Sequence, residues 1–206
     1  MADYINIKGS TIQYLDSDPA NPVVGQVWYN STTQTLKGAS AGGATAGTWS
    51  SGGNLNTARQ QTTGCGIQTA GLCVGGEGAP PGGLDTAGAF SEEYDGSSWT
   101  EGNDLNTKSA FATALGLQTA ALVVGGYNPS STLATNQSYN GTSYTEDADI
   151  NSARSSLASS GIQTSGLVFG GGGSPPAGAL TEEFDGSSWT ESGDLNTGRR
   201  ILAGAG

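Results

Sequence analysis

Histidine is absent from the 206 residues, and only 7 basic residues stand against 18 acidic ones. Without an imidazole, a Ser-His or Cys-His nucleophile, a histidine proton shuttle and a histidine metal site are all excluded. The net charge of −11 argues against a nucleic-acid partner held through phosphate contacts. We therefore expect a protein that is not an enzyme and that has no cofactor, no metal site and no nucleic-acid ligand.

Long apolar segments are missing as well. No stretch approaches the roughly 18 apolar residues that a membrane helix requires, and the N-terminus lacks the apolar core of a signal peptide. We expect a protein that is made in the cytoplasm and is not inserted into a membrane.

Glycine, in contrast, is abundant, with 35 residues. Such a composition can indicate disorder, but here aliphatic and aromatic residues recur at regular spacing, which disordered chains lack. Related segments begin at Asn56, Asn106, Asn151 and Asn196, so the repeating copy is about 45 residues long, with a longer loop in the first one. Residues 48–55 match the end of a preceding copy. The sequence thus predicts three complete copies and two partial ones.

Each copy predicts four short strands. The first ends in Gly66-Ile67 or its counterpart, and a Gln-Thr-Ala/Ser turn follows. The second is an unbroken apolar run, such as residues 72–74, which indicates burial on both faces. It ends in two glycines, where we expect positive φ and a close approach of neighbouring backbone. These glycines are Gly75 and Gly76, Gly125 and Gly126, and Gly170 and Gly171.

The third and fourth strands are predicted to form a hairpin around Asp95-Gly96 and its counterparts. This dipeptide favours a two-residue type I′ turn, in which both central residues need positive φ. An aromatic ring follows each turn, and we expect one ring per copy to seal the contact between adjacent sheets, at a gain of about 1.5–3 kcal/mol. These rings are Trp49, Trp99, Tyr144 and Trp189.

Four strands in about 45 residues is the period of a β-propeller blade. An arginine near the start of a copy, an apolar run ending in Gly-Gly and a pair of aromatic residues around a turn together resemble the kelch repeat. The resemblance covers residues 48–206 and implies an all-β fold of kelch-like β-propeller blades. The sequence departs from it in a shorter spacing of the aromatic residues and in Ser109, beside Lys108, in place of arginine. The repeat arginines, expected to bind carbonyls or carboxylates within or between blades, are Arg59, Arg154 and Arg199.

The propeller predicted for residues 48–206 is incomplete at the C-terminus, because the last copy stops within its first strand. A closed propeller has about four to eight blades, and an open blade edge favours aggregation. Two explanations stay open. Either the chain continues in a longer protein, which we favour, or another copy closes the edges.

Residues 1–38 do not share the repeat and predict an extended segment followed by one hairpin. Within them, residues 25–33 (GQVWYNSTT) resemble the entry segment of bacteriophage tail-fibre and virion-appendage proteins. The resemblance implies attachment to other virion proteins or oligomerisation with sister subunits. Residues 39–47, composed of Gly, Ala, Ser and Thr, predict a flexible linker.

Two acidic pairs, Glu92-Glu93 and Glu182-Glu183, are candidates for acid/base chemistry. Neighbouring residues of a strand point to opposite faces, and the middle copy has uncharged residues, Asn136-Gln137-Ser138, in this region instead. Glycoside hydrolysis needs two converging carboxylates in different environments. We therefore interpret both pairs as charge on the blade surface.

Cys65 and Cys73 flank the Gln-Thr-Ala turn of the first copy, at positions where other copies have ordinary packing residues. A buried free thiol behaves as a small hydrophobic group. The alternative, a cross-strand disulfide, requires a register that places the two residues opposite each other, and assembly in the cytoplasm argues against it.

The most variable segments, residues 77–90, 127–135 and 172–180, follow the glycine pairs. Propellers carry recognition on such loops because the blades hold them rigidly. We therefore select six loop residues as candidates for binding a protein or a glycan: Pro80, Pro81, Tyr127, Asn128, Pro175 and Pro176.

These patterns predict a non-enzymatic structural protein of a bacteriophage virion. It would be a tail fibre, appendage or surface decoration that presents a propeller for attachment or for recognition of a host-surface glycan or protein. A homo-oligomer is expected, since weak sites gain from repetition across many copies. The alternatives are a cellular kelch-like protein–protein interaction module and a fragment of a propeller glycosidase.

Overall fold

The computed structural model describes residues 12–23, 25–39, 50–78, 88–173 and 178–205. Regular structure in these ranges is entirely β-sheet, with no helix, so the all-β prediction is confirmed. No helix within them could therefore cross a membrane. The chain divides into two compact units, residues 1–51 and residues 52–206.

The N-terminal unit contains a three-stranded sheet of β1 (Gln13–Leu15), β2 (Val27–Asn30) and β3 (Thr35–Gly38). Strands β2 and β3 form the predicted hairpin, and the Asn30 side chain fixes its turn by accepting the N–H groups of Thr32 at 3.1 Å and Thr33 at 3.0 Å. Strand β1 pairs with β2 in parallel. The sequence predicted only extended chain there, because three residues are too few to carry a strand pattern.

The described part of residues 52–206 contains three equivalent four-stranded antiparallel sheets, one for each complete copy. The strands, in chain order, are β4 (Arg59–Gln60), β5 (Thr63–Ile67), β6 (Ala70–Val74), β7 (Glu77–Gly78), β8 (Ser91–Tyr94), β9 (Trp99–Glu101), β10 (Thr113–Leu117), β11 (Ala120–Val124), β12 (Asn136–Tyr139), β13 (Tyr144–Glu146), β14 (Arg154–Ser155), β15 (Ala158–Ile162), β16 (Ser165–Phe169), β17 (Gly172–Gly173), β18 (Thr181–Phe184) and β19 (Trp189–Glu191).

Sheet I has the order β5-β6-β8-β9, sheet II the order β10-β11-β12-β13, and sheet III the order β15-β16-β18-β19. Strand β10 packs beside both β5 and β15, so the three sheets stand side by side through their first strands. Two short pairs, β4 with β7 and β14 with β17, flank sheets I and III.

The hairpin between the last two strands differs from the predicted type I′ turn. Tyr94 pairs with Trp99, which leaves four connecting residues rather than two, and of these only Gly96 has positive φ, at 95°. The Asp95 carboxylate accepts the backbone N–H groups of Ser97 and Ser98, both at 2.8 Å. The four-residue turn is favoured because the side chain of Asp95 accepts hydrogen bonds from these two backbone N–H groups, which a two-residue turn would leave to water.

Apolar contacts join each sheet to the next. We call the side of a sheet that faces the following copy its trailing face and the opposite side its leading face. The trailing face of sheet I (Leu72 and Val74), together with Leu105 from the segment after β9, packs against the leading face of sheet II. The trailing face of sheet II packs against the leading face of sheet III. The leading-face residues are Ala121, Val123, Tyr139 and Tyr144 in sheet II, and Val168, Phe184 and Trp189 in sheet III.

Two aromatic rings, rather than the single ring predicted, close each contact. Tyr139 and Tyr144 stack with centroids 4.4 Å apart, and Phe184 and Trp189 lie 4.9 Å apart. All four are buried. Of the other two predicted rings, Trp99 is only half-buried, on the leading face of sheet I, and Trp49 lies outside the described residues.

The glycine pairs admit the backbone of the next copy. Gly125 and Gly126 have φ of 64° and 102°, and the Gly126 N–H donates to the Arg154 carbonyl at 2.7 Å. A Cβ on Gly125 would lie 2.6 Å from that same carbonyl oxygen, so a larger residue would force the sheets apart. Ser109 and Arg199 approach the other two glycine pairs in the same way.

The glutamine of each Gln-Thr turn also reaches the preceding sheet. Nε2 of Gln118 donates to Gly71 O at 3.0 Å and to Tyr94 O at 2.9 Å. Nε2 of Gln163 donates to Ala121 O at 3.2 Å and to Tyr139 O at 2.9 Å. The turn therefore acts as a clamp between sheets, a role that the turn prediction did not include.

A row of non-glycine residues with positive φ links the copies near the first strands. Gln61, Phe111, Ser156 and Ile201 have φ between 56° and 57°. Each N–H after the first donates to the carbonyl of the preceding member, at 3.2, 2.8 and 2.9 Å along the chain. Their side chains share no chemistry, which left no signal in the sequence for this uncommon conformation.

We predict that Gln163→Ala lowers the free energy of unfolding by about 1–3 kcal/mol, because it removes donors from two carbonyls between sheets II and III. The matched control is Gln68→Ala in the same motif of sheet I, where the side chain is exposed, and its effect should stay within about 0.5 kcal/mol. Urea unfolding in dilute solution measures both. Equal losses in the two variants would contradict the clamp.

Candidate functional site

The repeat arginines of sheets I and III form buried ion pairs. Arg59 Nη2 lies 2.8 Å from Glu92 Oε1, and Arg154 Nη2 lies 2.7 Å from Glu182 Oε1, with side-chain exposures of at most 1%. Arg154 Nη1 also donates to the carbonyls of Leu180 and Gly170, at 2.6 and 3.1 Å. Burial lowers the pKa of Arg154 while Glu182 opposes that shift. Arg59 makes the equivalent contacts to two backbone carbonyls. Each of the two arginines thus binds two carbonyls and one carboxylate of its own copy.

The carboxylates complete this network. Oε2 of Glu182 accepts the N–H of Asn151 at 2.7 Å and its Nδ2 at 2.9 Å. Oε2 of Glu92 accepts the N–H of Asn56 at 2.7 Å. The start of each copy is therefore fixed to its own third strand.

Sheet II replaces the ion pair with neutral groups at the same places. Ser109 Oγ donates to Gly125 O at 2.8 Å, as the arginines do to Gly75 and Gly170. Gln137 Oε1 accepts the Thr107 N–H at 3.1 Å, and its Nε2 donates to Thr107 O at 2.9 Å. The fold therefore needs hydrogen bonds at this place and tolerates either charge pattern.

The interpretation of both acidic pairs as surface charge is wrong for one member of each. Glu92 and Glu182 are 1% and 0% exposed, whereas Glu93 is half-buried and Glu183 exposed. The arginine of each copy pairs with the carboxylate on one face of the third strand, and this ion pair holds Glu92 and Glu182 in the interior. Neither pair offers two converging free carboxylates for hydrolysis.

Cys65 and Cys73 are free thiols. In the register of sheet I, Cys65 lies opposite Leu72 and Cys73 lies opposite Gly64, so the two thiols point to different faces and the disulfide alternative fails. Burial raises the pKa of Cys65 to about 11 and also raises that of Cys73. Neither residue suits nucleophilic chemistry near neutral pH.

The loops after the glycine pairs leave the same end of the three sheets, and the Gln-Thr turns and four-residue hairpins lie at the other end. Of the candidate binding residues, Tyr127 and Asn128 are described. Tyr127 forms β-bridges with Ala110 and Thr132, and Asn128 Oδ1 accepts the N–H groups of Ser130 and Ser131, at 2.9 and 2.8 Å. Pro80, Pro81, Pro175 and Pro176 lie outside the described residues.

The first strands border a small cavity of about 220 Å³. Thr113 and Ser159 share a hydroxyl hydrogen bond of 2.6 Å nearby, and Ser159 Oγ also donates to Ala114 O at 3.1 Å. The described lining residues are small or aliphatic and carry no charge. Across the described ranges, no cluster of three or more acidic or cysteine side chains could hold a metal ion.

Asp18 organises the N-terminal unit, which sequence reasoning missed. Its carboxylate accepts Lys37 Nζ at 2.6 Å, Asn30 Nδ2 at 2.8 Å and Trp28 Nε1 at 2.9 Å. These contacts, that of Lys37 first, lower the pKa of Asp18 to about 2. Trp28 and Asn30 lie two residues apart on β2, and Lys37 of β3 pairs with Trp28. This spacing on one hairpin was the signal available in the sequence. The carboxylate joins the segment before β2 to the hairpin.

A comparison of the sequence with protein-family models finds no match, and a comparison with curated proteins finds none either. The site therefore has to be judged on its own geometry.

We predict that Arg154→Ser lowers the free energy of unfolding by about 3–5 kcal/mol, because it leaves the Glu182 carboxylate buried without its counter-charge. The double variant Arg154→Ser/Glu182→Gln should recover more than half of this loss, since it reproduces the neutral pattern of Ser109 and Gln137. Urea unfolding measures both, with the exposed Arg200→Ser as control. A double variant as unstable as the single one would contradict this account.

We predict a titration at Trp28. A carboxyl whose folded pKa lies near 2, below its ordinary 3.8, stabilises the fold fully above pH 3.8 and loses that contribution as the pH falls through about 2. The Trp28 indole N–H resonance should therefore shift with a midpoint near pH 2. Asp18→Asn should abolish the shift, and the indole of Trp189 is an internal control. A midpoint at the ordinary carboxyl value would contradict the network.

Proposed function

We propose that residues 52–206 form kelch-like β-propeller blades that serve as a non-enzymatic recognition scaffold of a bacteriophage virion. Three equivalent sheets, packed through their first strands, support the blade architecture. The observation that carries the proposal is that each sheet repeats the same packing while the loops at one end differ from copy to copy. Function then resides in loops that the scaffold holds at fixed spacing.

Recognition is a better fit than catalysis for the groups on these sheets. Glu92 and Glu182 are engaged by arginines, and burial raises the pKa of both thiols. The described loop between β11 and β12 instead presents Tyr127 beside an Asn128 turn with exposed Ser130 and Ser131. An aromatic ring and nearby hydroxyl and amide groups suit weak contacts to a glycan or a protein, which become useful through repetition.

The N-terminal unit supports the assignment to a virion. Its hairpin contains the residues that resemble the entry segment of tail-fibre and appendage proteins, and the Asp18 network gives it a small fold of its own. We assign this unit to attachment, either to other virion proteins or to sister subunits. The protein would be synthesised in the host cytoplasm and function on the particle as a fibre, appendage or decoration.

We predict that particles of a phage that encodes this chain contain it at a fixed copy number by quantitative mass spectrometry. Particles with Tyr127→Ala/Asn128→Ala should keep that copy number but adsorb to host cells about tenfold more slowly, because the change is repeated in every copy. The control Thr142→Ala/Ser143→Ala lies at the opposite end of sheet II and should adsorb normally.

Absence of the chain from purified particles would contradict the virion role, and a cellular protein partner would then favour an intracellular interaction module. Normal adsorption of the Tyr127→Ala/Asn128→Ala particles would show that this loop does not recognise the host. Hydrolysis of a glycan by the purified chain would contradict the non-enzymatic assignment.

A further inference from the structure

The trailing face of sheet III is less covered than the same face of sheet II. Leu122 and Val124 are 0% exposed, because sheet III packs over them. Their counterparts in sheet III, Leu167 and Phe169, are only half-buried. Phe169 instead borders an open pocket of about 390 Å³, together with Leu195 and Leu202.

Polar groups on this face match the acceptors found between the sheets. A cavity of about 250 Å³ adjoins Gly166 and Phe184, which correspond to Gly71 and Tyr94, the residues whose carbonyls accept Gln118. Thr181 Oγ1 is buried without a hydrogen-bond partner. Its counterpart in sheet I, Ser91 Oγ, shares a hydrogen bond of 2.9 Å with Tyr144 of the next sheet.

The leading face of sheet I carries the complementary groups. The rings of Tyr94 and Trp99 lie tilted to each other with centroids 5.0 Å apart and are half-buried, whereas Tyr139 and Tyr144 of sheet II are 1% and 7% exposed. Gln68, the counterpart of the two glutamine clamps, is exposed. This face therefore offers an amide donor and two aromatic rings in the arrangement that seals the internal contacts.

We propose that the leading face of sheet I docks on the trailing face of sheet III in a second copy of the chain. Gln68 then donates to the carbonyls of Gly166 and Phe184, as Gln163 and Gln118 do to the equivalent carbonyls one and two contacts earlier. The Tyr94 hydroxyl donates to Glu183, by analogy with the 2.6 Å bond from Tyr139 to Glu93, and Trp99 covers Thr181. The inference rests on the contacts within residues 52–206 and does not depend on the virion role.

Docking requires one exchange of segments. Residues 196–205 now occupy the first-strand position beside sheet III, through Gly171 N to Arg199 O at 3.0 Å, Ile201 N to Ser156 O at 2.9 Å and Ser160 Oγ to Ala205 O at 3.0 Å. The incoming residues 56–67 offer the same backbone groups, because both segments begin a copy. Gly52 and Gly53 of the incoming copy, which lie beside Tyr94 and Ser97, also move away from its leading face. The incoming segment replaces the backbone hydrogen bonds of residues 196–205 one for one. The net gain in free energy therefore comes from the apolar contact.

A second copy fits this face better than an unrelated partner. The occupant must supply an amide, a hydroxyl-bearing ring and a second ring at the spacing of a blade, and sheet I has all three. The two faces differ, so the contact is heterologous and produces open chains unless the rotation closes them.

Sedimentation velocity over a range of concentrations tests this with the full chain. The wild-type protein should form a concentration-dependent series of species larger than a dimer. Phe169→Glu on the trailing face and Trp99→Glu on the leading face should each be monomeric. An equimolar mixture of the two variants should give a dimer and nothing larger, because one intact face of each kind remains. That dimer also shows that both variants are folded.

Two further variants sharpen the result. Leu117→Glu, at an exposed residue of the sheet II turn, should associate like the wild type. Gly204→Val should displace residues 196–205, because a Cβ at Gly204 meets the Ser159 carbonyl oxygen, and should lower the concentration needed for association about tenfold, equivalent to about 1.4 kcal/mol.

The proposal is overturned if the wild type and Gly204→Val are both monomeric, or if the mixture of face variants gives no dimer. A fixed oligomer that Phe169→Glu and Trp99→Glu both retain also overturns it, since that contact lies elsewhere. None of these results bears on the virion role, which the experiment on particles tests separately.

Discussion

The structure of residues 52–206 depends on the close approach of one copy's backbone to the glycine pair of the copy before it. The Gly126 N–H donates to Arg154 O, and the place of a Gly125 side chain is taken by that same carbonyl. This approach brings the second strand of one sheet within packing distance of the aromatic rings of the next. A bulkier residue at the pair would therefore weaken an apolar contact that it does not itself touch.

The apolar contact between neighbouring sheets compensates for a composition poor in large apolar residues. The first strands contain mostly Gly, Ala, Ser and Thr, so they bring the sheets together without adding much apolar area. The area comes from the second strand and the two rings. In sheet II the second strand contacts both neighbours, through Ala121 and Val123 on one face and Leu122 and Val124 on the other. A single copy would leave both faces in water, which explains why stability in repeat proteins resides in nearest-neighbour interfaces.

Arg154 and Glu182 occupy a place that Ser109 and Gln137 fill without charge. What the fold requires there is that the carbonyls after the second strand and the N–H groups at the start of the copy find partners. A buried ion pair satisfies them but carries a desolvation cost that a neutral pair avoids. The two solutions in one chain indicate that the hydrogen bonds, and not the charges, hold the copy together.

Repetition in the sequence was enough to predict the strands, the hairpins and the special place of the glycine pairs, because each depends on local residue chemistry. Burial of Glu92 and Glu182 was not predicted, since a pair of glutamates on a strand does not indicate which member faces inward. A signal was present: arginine and glutamate occur together in sheets I and III and are replaced together in sheet II. The positive φ of Phe111 and Ser156 left no such signal, because the conformation is imposed by hydrogen bonds between copies. Local patterns thus specify each sheet, whereas the contacts between sheets become visible only when equivalent positions are compared. Because these contacts hold the sheets together, the loops can differ in sequence from copy to copy.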